Sequence, residues 1–150
     1  MADQRSGVYP PIAKLVPHGP PVRALERLRE WEPGRAVCEV RVTRSLPFVH
    51  DDRLASVITL EYMAQAVAAC LGHEAYVGRG AEVRVGMLIG VRQMKLLEPF
   101  VEVGDTLDVL VERIRGNEDV STFRGETRVG NTLVTTAHMT VFHGRTPPED

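Results

Sequence analysis

The order of apolar and polar residues divides the chain into stretches with different periods. "AVCEVRVT" (36–43) alternates, with Val37, Glu39, Arg41 and Thr43 against Cys38, Val40 and Val42, and predicts a strand with one buried face. From about 54 to 77 the alternation gives way to a stretch that is apolar on nearly every side. It predicts one long helix, closed by Gly78 and Gly80. Ser56 is its candidate cap, and Asp51 and Asp52 complement its dipole upstream. Beyond it, 83–97 is apolar-rich with glycines that suggest a bend, and 106–115, 120–129 and 132–143 read as strands. Turn signals separate them at Gly104-Asp105, "GNED" (116–119) and Gly130-Asn131. Residues 22–32 fit two elements. Leu25 and Leu28, with Arg and Glu between, suit a short amphipathic helix; a strand is the other reading, and Glu32-Pro33-Gly34 ends either in a turn.

The layout is therefore α+β: a strand, one long apolar helix, then a four-strand antiparallel meander. A helix this apolar must be wrapped, and a curved sheet around it does so while leaving an open edge that dimerisation can pair. No linker or repeat interrupts 1–150, so a single domain is expected, with 1–11 and 144–150 as flexible tails.

Composition narrows the function. Hydrophobic residues make up 43% and charged residues 25%, which are ordinary globular values. A net charge of −2 speaks against a nucleic-acid partner. Two cysteines, Cys38 and Cys70, make no disulfide framework and suit a reducing, cytoplasmic compartment. No stretch reads as a signal peptide or a bilayer crossing, so no membrane partner is expected. The histidines and cysteines show no zinc-type spacing, and there is no GxSxG, P-loop or Rossmann fingerprint. Neither a metal nor a cofactor is expected.

Two residues carry candidate chemistry. Glu61 interrupts the apolar helix, where lost solvation raises a carboxyl pKa and suits a general acid; an ion pair that only serves folding is the plain alternative. His50 lies at the helix entrance and titrates near neutral pH, as a proton acceptor needs; an ordinary loop histidine is its alternative. His18, held between prolines, reads as structural, and His73, His138 and His143 as core or surface residues.

Three stretches in order resemble a known family. "LVPHGPP", "LEYMAQAVAA" (60–69) and "MLIGVRQMKLLEPFVEVGDTLDVLVE" are similar to the N-terminal motif, the central-helix signature and the following strands of hotdog-fold 3-hydroxyacyl-[acyl-carrier-protein] dehydratases, in the flavour of aryl-polyene-type clusters. The resemblance covers roughly residues 12–143. It implies a helix wrapped by a curved sheet, an obligate dimer with acyl tunnels at its interface, and a strand at 22–32. It also puts Glu61 at the acidic catalytic position. The chain departs from the family at "FVHDDRLAS", where His50 lacks the usual preceding glycine and following proline.

The resemblance implies dehydration of a 3-hydroxyacyl thioester to the trans-2-enoyl thioester, in fatty-acid or polyene-type biosynthesis. His50 removes the proton beside the carbonyl, Glu61 protonates the leaving hydroxyl, and N–H groups near Ser56 and Val57 polarise the carbonyl. Gln65 and Met87 join Ser56 and Val57 as substrate contacts. Arg79, Arg84, Arg92 and Lys95 form a candidate mouth for a phosphate-bearing acyl carrier protein or CoA thioester, with a solvated polar face as the alternative. A homodimer, a higher oligomer or a heteromer with a homologue is the expected assembly. Two other readings stay open: thioester hydrolysis with Glu61 activating water, and a non-catalytic partner subunit or acyl-binding module.

Overall fold

The structure is a computed structural model that describes residues 9–16, 19, 22–79 and 87–144, with only the backbone at Arg79. A four-residue helix α1 (Ile12–Leu15) precedes strands β1 (Leu25–Glu32) and β2 (Arg35–Arg41). Then come β3 (Arg53–Ala55), a 3-10 turn (Ser56–Ile58) and the long helix α2 (Thr59–Arg79). The chain ends with β4 (Met87–Leu96), β5 (Phe100–Glu102), β6 (Thr106–Gly116), β7 (Val120–Val129) and β8 (Thr132–Phe142).

Residues 22–32 resolve to the strand. β1 pairs with β2 through the Pro33-Gly34 turn, where Gly34 takes φ 76°. Its register shifts twice, between Leu25 and Arg27 and between Leu28 and Glu30. These bulges put the buried residues Leu25 and Leu28 three apart, which is why the segment imitates a helix.

The main sheet has six antiparallel strands in the order β1-β2-β6-β7-β8-β4. The expected four-strand meander is therefore corrected. Only β6, β7 and β8 run as neighbours, whereas β4 crosses to the far side of β8. The three-residue strands β3 and β5 pair separately, too short for any period to show.

Helix α2 packs across β1, β2, β6, β7 and β8. Its buried residues Tyr62, Met63, Ala66, Val67, Ala69, Cys70 and His73 fall at three- and four-residue spacing and close the core against Val40, Val109, Phe123 and Met139. The opposite stripe, Glu61, Ala64, Ala68 and Leu71, is exposed or only partly covered. The sheet wraps one side of the helix and leaves the other open.

The N-terminal segment docks on α2 at two points. A side chain at Gly72 would collide with the Leu15 carbonyl, so the backbones touch. The next residue, His73, packs edge-on against Trp31 at 4.6 Å and Tyr9 at 5.3 Å, and Tyr76 stacks on it at 6.0 Å. The expected N-terminal tail is thus already engaged at Tyr9. Among the described residues neither imidazole nitrogen has a hydrogen-bond partner, and burial holds the pKa of His73 below its ordinary value of 6.5.

Two predictions follow from this docking. Gly72→Ala should lower the unfolding free energy by about 1–3 kcal/mol in urea titrations, because the added methyl meets backbone. For His73 the unfolded state takes up the proton more readily than the folded state. Its contribution is therefore intact above pH 6.5 and is lost as pH falls below that value. His73→Phe should flatten the acid limb of a melting-temperature profile.

Candidate active site

The start of α2 is set by a small buried hydroxyl cluster. The Thr59 hydroxyl donates to the Ser56 carbonyl at 2.7 Å and lies 3.0 Å from the Thr135 hydroxyl on β8. The Ser56 N–H donates to the Pro99 carbonyl at 3.0 Å, which ties this turn to the entry of β5. Ser56 is fully buried, and its hydroxyl has no partner among the described residues. Two expectations are corrected here. Ser56 makes no side-chain cap, because a 3-10 turn with Ala55 before it precedes the helix. Its N–H is also committed to Pro99, so it cannot donate to a substrate carbonyl.

Glu61 is the third residue of α2, in the first turn, where a carboxylate complements the helix dipole. It lies on the stripe facing away from the sheet and is exposed in the single chain. The desolvated carboxylate expected from the sequence is therefore not what one chain provides. The negative charge is felt next door: burial first, and then the Glu61 carboxylate, push the Tyr62 phenol up to about 12.

Gln65, one turn on, fixes Glu61. Its Oε1 accepts from the Ala24 N–H at 2.9 Å, so its Nε2 must face the other way. Nε2 donates to the Val22 carbonyl at 2.8 Å and to Glu61 Oε1 at 3.2 Å. Gln65 is fully buried and both of its amide N–H groups are bonded within the chain, which leaves neither to offer the substrate contact expected from the sequence. The segment Val22–Ala24, which follows a turn closed by the Arg23 N–H on the Gly19 carbonyl, is thereby strapped to the helix beside the carboxylate. Glu61 Oε2 is the oxygen that Gln65 does not engage.

His50 sits elsewhere, on a hairpin. Its N–H and carbonyl exchange bonds with Arg53, both at 2.9 Å, around Asp51 and Asp52 at φ 52° and 59°. This is the backbone of a type I′ turn, which aspartate tolerates. The two aspartates are thus turn residues rather than dipole partners of the helix, and Asp52 pairs with Arg44 at 2.7 Å. The His50 side chain is exposed, and among the described residues no hydrogen bond or ion pair joins it to Glu61. Phe48, just before it, is exposed at the rare φ of 71°.

Of the remaining expected contacts, Val57 and Met87 are both exposed. The proposed carrier mouth is only half placed. Arg92 and Lys95 are exposed on β4, while Arg84, the side chain of Arg79, and His18 lie outside the described residues. Cys38 and Cys70 are fully buried, and burial pushes the Cys70 thiol up to about 12 and Cys38 higher. Neither is a nucleophile at neutral pH. No cluster of metal-ligating side chains occurs among the described residues.

Comparison with known proteins decides the family. The model of the ApeP-like family, described as ApeP dehydratase, matches residues 10–149. The chain belongs to the ApeP-like dehydratase family. Among curated relatives, the 3-hydroxyacyl-[acyl-carrier-protein] dehydratase FabZ of a Polaromonas strain is 32% identical, over 85% of this chain and 91% of the relative. FabZ of an Acidovorax strain is 31% identical over the same shares. A chain of the dehydratase heterocomplex ApeI:P from Xenorhabdus doucetiae superposes with a TM-score of 0.85 at 26% identity, covering 93% of this chain and 94% of that one. The TT0310 protein of Thermus thermophilus superposes at 0.60 with 17% identity over 80% of this chain and 92% of its own, which shows the shared hotdog fold alone.

The Gln65 clamp generates a prediction. Gln65→Met keeps the volume and removes three hydrogen bonds, leaving the Ala24 N–H buried without its partner. Unfolding free energy should fall by about 1–3 kcal/mol.

Proposed function

We infer that this ApeP-like dehydratase converts a 3-hydroxyacyl thioester to the trans-2-enoyl thioester, and that Glu61 Oε2 carries the proton to the leaving hydroxyl. The observation that carries the reading is the placement of Glu61. It is clamped through Oε1, faces outward, and stands at the head of the partly open stripe Ala64, Ala68 and Leu71. That stripe offers an apolar path of small side chains beside an acid, which suits a hydrocarbon tail next to a reacting hydroxyl. The acid donates to the 3-hydroxyl as the bond to carbon breaks, water leaves, and a base takes the proton on carbon 2. His50 is the candidate base. The Val57 N–H, at the start of the 3-10 turn, is the candidate donor to the thioester carbonyl.

A second chain completes the site in this reading. β4 is an edge strand whose exposed residues include Met87, Ile89 and Val91, with Leu96, Leu97 and Phe100 following. The other edge, β1, carries Arg27, Arg29, Glu30 and Glu32, the charged protection usual for a free edge. An apolar edge of this length suits pairing with another hotdog subunit, which would also cover the open face of α2 and bring its own hairpin to Glu61. The X. doucetiae relative is described as a heterocomplex, which supports a homologous partner as well as a second copy. The FabZ relatives are named for acyl-carrier-protein substrates, which supports a carrier-bound thioester here. No described helix is long and apolar enough to cross a membrane, and two buried free thiols suit the cytoplasm as the setting.

Glu61→Gln should lower dehydration of a 3-hydroxyacyl thioester, or hydration of crotonyl thioester in reverse, by about 10²–10⁴-fold while leaving the melting temperature nearly unchanged. Wild-type turnover in that variant contradicts the acid role. Unchanged turnover in His50→Ala removes the histidine from the mechanism and leaves Glu61 in place. Ile89→Lys should shift the size-exclusion profile toward monomer and reduce turnover with it.

A further inference from the structure

We propose that the cleft between the start of β1 and the loop after β2 is an anion subsite that holds the phosphate of the substrate's thioester arm through Arg23 and Arg41. The proposal rests on the thioester reading above and adds the place where the arm is gripped.

The cleft has a volume of about 400 Å³. Arg23, just before β1, and Arg41, the last residue of β2, line it together with Glu26, Thr43 and Ser45. Leu25 and Val40 are paired across β1 and β2, so the two arginines come from neighbouring strand ends.

Other arginines at this end of the sheet are already committed. Arg27 and Arg29 are held by Glu39 and Asp108, Arg44 by Asp52, and Arg53 lies over the Phe100 ring at 5.3 Å. Arg23 and Arg41 form no ion pair among the described residues, although Arg23 is half-buried. Arg41 is exposed, and Glu26 is the carboxylate that lines the same cleft, so both guanidinium groups are left with donors to offer a ligand. Their planar donors suit a phosphate. The Thr43 and Ser45 hydroxyls are hydrogen-bonded to each other at 2.8 Å, and the one that accepts keeps its proton to donate to an anion.

Its position connects the cleft to the chemistry. Arg23 sits between Val22 and Ala24, the two residues whose backbone Gln65 clamps beside Glu61. The Arg23 backbone is thus part of the same strap that orients the acid. A phosphate held here would anchor a long flexible arm at its far end, and the thioester would reach the carboxylate from a defined direction. Arg92 and Lys95 on β4 lack such a link to Glu61 and lie on the edge that a second subunit is proposed to cover.

The test uses phosphopantetheine and pantetheine, which differ by the phosphate alone, in calorimetric titrations with the full chain. Wild type should prefer phosphopantetheine by about tenfold, and Arg23→Ala and Arg41→Ala should each erase most of that preference. Glu26→Gln should strengthen it by about two- to threefold. Turnover adds a second arm. Both arginine variants should raise KM for carrier-protein and CoA thioesters and leave N-acetylcysteamine thioesters, which lack phosphate, at the wild-type KM and kcat. That last value also reports that the variants are folded. Equal affinity of wild type for the two pantetheines overturns the subsite, as does an equal loss on the truncated thioester. An effect confined to the carrier-protein substrate overturns the phosphate assignment in favour of a contact with the carrier surface. A wild type that discriminates the two pantetheines but dehydrates nothing overturns the dehydratase reading and leaves the anion subsite standing.

Discussion

A single buried amide ties the molecule together. Gln65 is the place where helix α2, the strap before β1 and the Glu61 carboxylate meet, and each of its polar atoms has a fixed partner. The Ala24 N–H has only a proton to offer, so it dictates which end of the amide faces it. That choice in turn dictates that a donor points at Glu61. A buried amide is tolerable only when every bond is made, so the strap and the carboxylate hold each other in place. The hydroxyl cluster of Thr59 and Thr135, two residues upstream, fixes the helix start that brings Glu61 to this position.

The same geometry explains why the chain reads as half of something. The sheet covers one stripe of α2 and leaves the stripe of Glu61, Ala64, Ala68 and Leu71 uncovered or partly covered. Its β4 edge exposes Met87, Leu88, Ile89 and Val91 ahead of Arg92 and Lys95, where β1 exposes charged residues. In the proposed mechanism, the low-dielectric surroundings that tune a carboxyl acid would come from a neighbouring subunit and the bound acyl chain, because a single chain leaves Glu61 exposed.

Much of this was legible in the residues, for reasons that differ by element. β7 and β8 alternate cleanly because one face packs on α2, and their turn at Gly130 is marked by a φ of 58° that glycine meets without strain. Glu61 was recognisable as the odd carboxylate of an apolar helix, and the family signature around it is borne out. What stayed hidden depends on tertiary choices. A helix apolar all round does not say which stripe meets the sheet, so Glu61 was expected to be buried and is exposed. The two bulges in β1 gave a strand the spacing of a helix. Nothing local tells β4 to pair with β8 instead of β6. Ser56 looked like a cap because serine often is one, yet its N–H is taken by Pro99, 43 residues ahead in the chain. Arg23 and Arg41 carry no motif, and only the pairing of neighbouring strands brings them into one cleft.

The central claim is that an acid at Glu61 drives loss of water from an intact thioester. Product analysis tests it most directly: a saturated 3-hydroxyacyl carrier-protein thioester is incubated with the chain, with or without a homologous partner, and the acyl group is weighed on its carrier by mass spectrometry. The account predicts loss of one water with the thioester retained, and no such loss in the Glu61→Gln variant. Free thiol with an unchanged hydroxy acid, or water loss that survives in the variant, would contradict it.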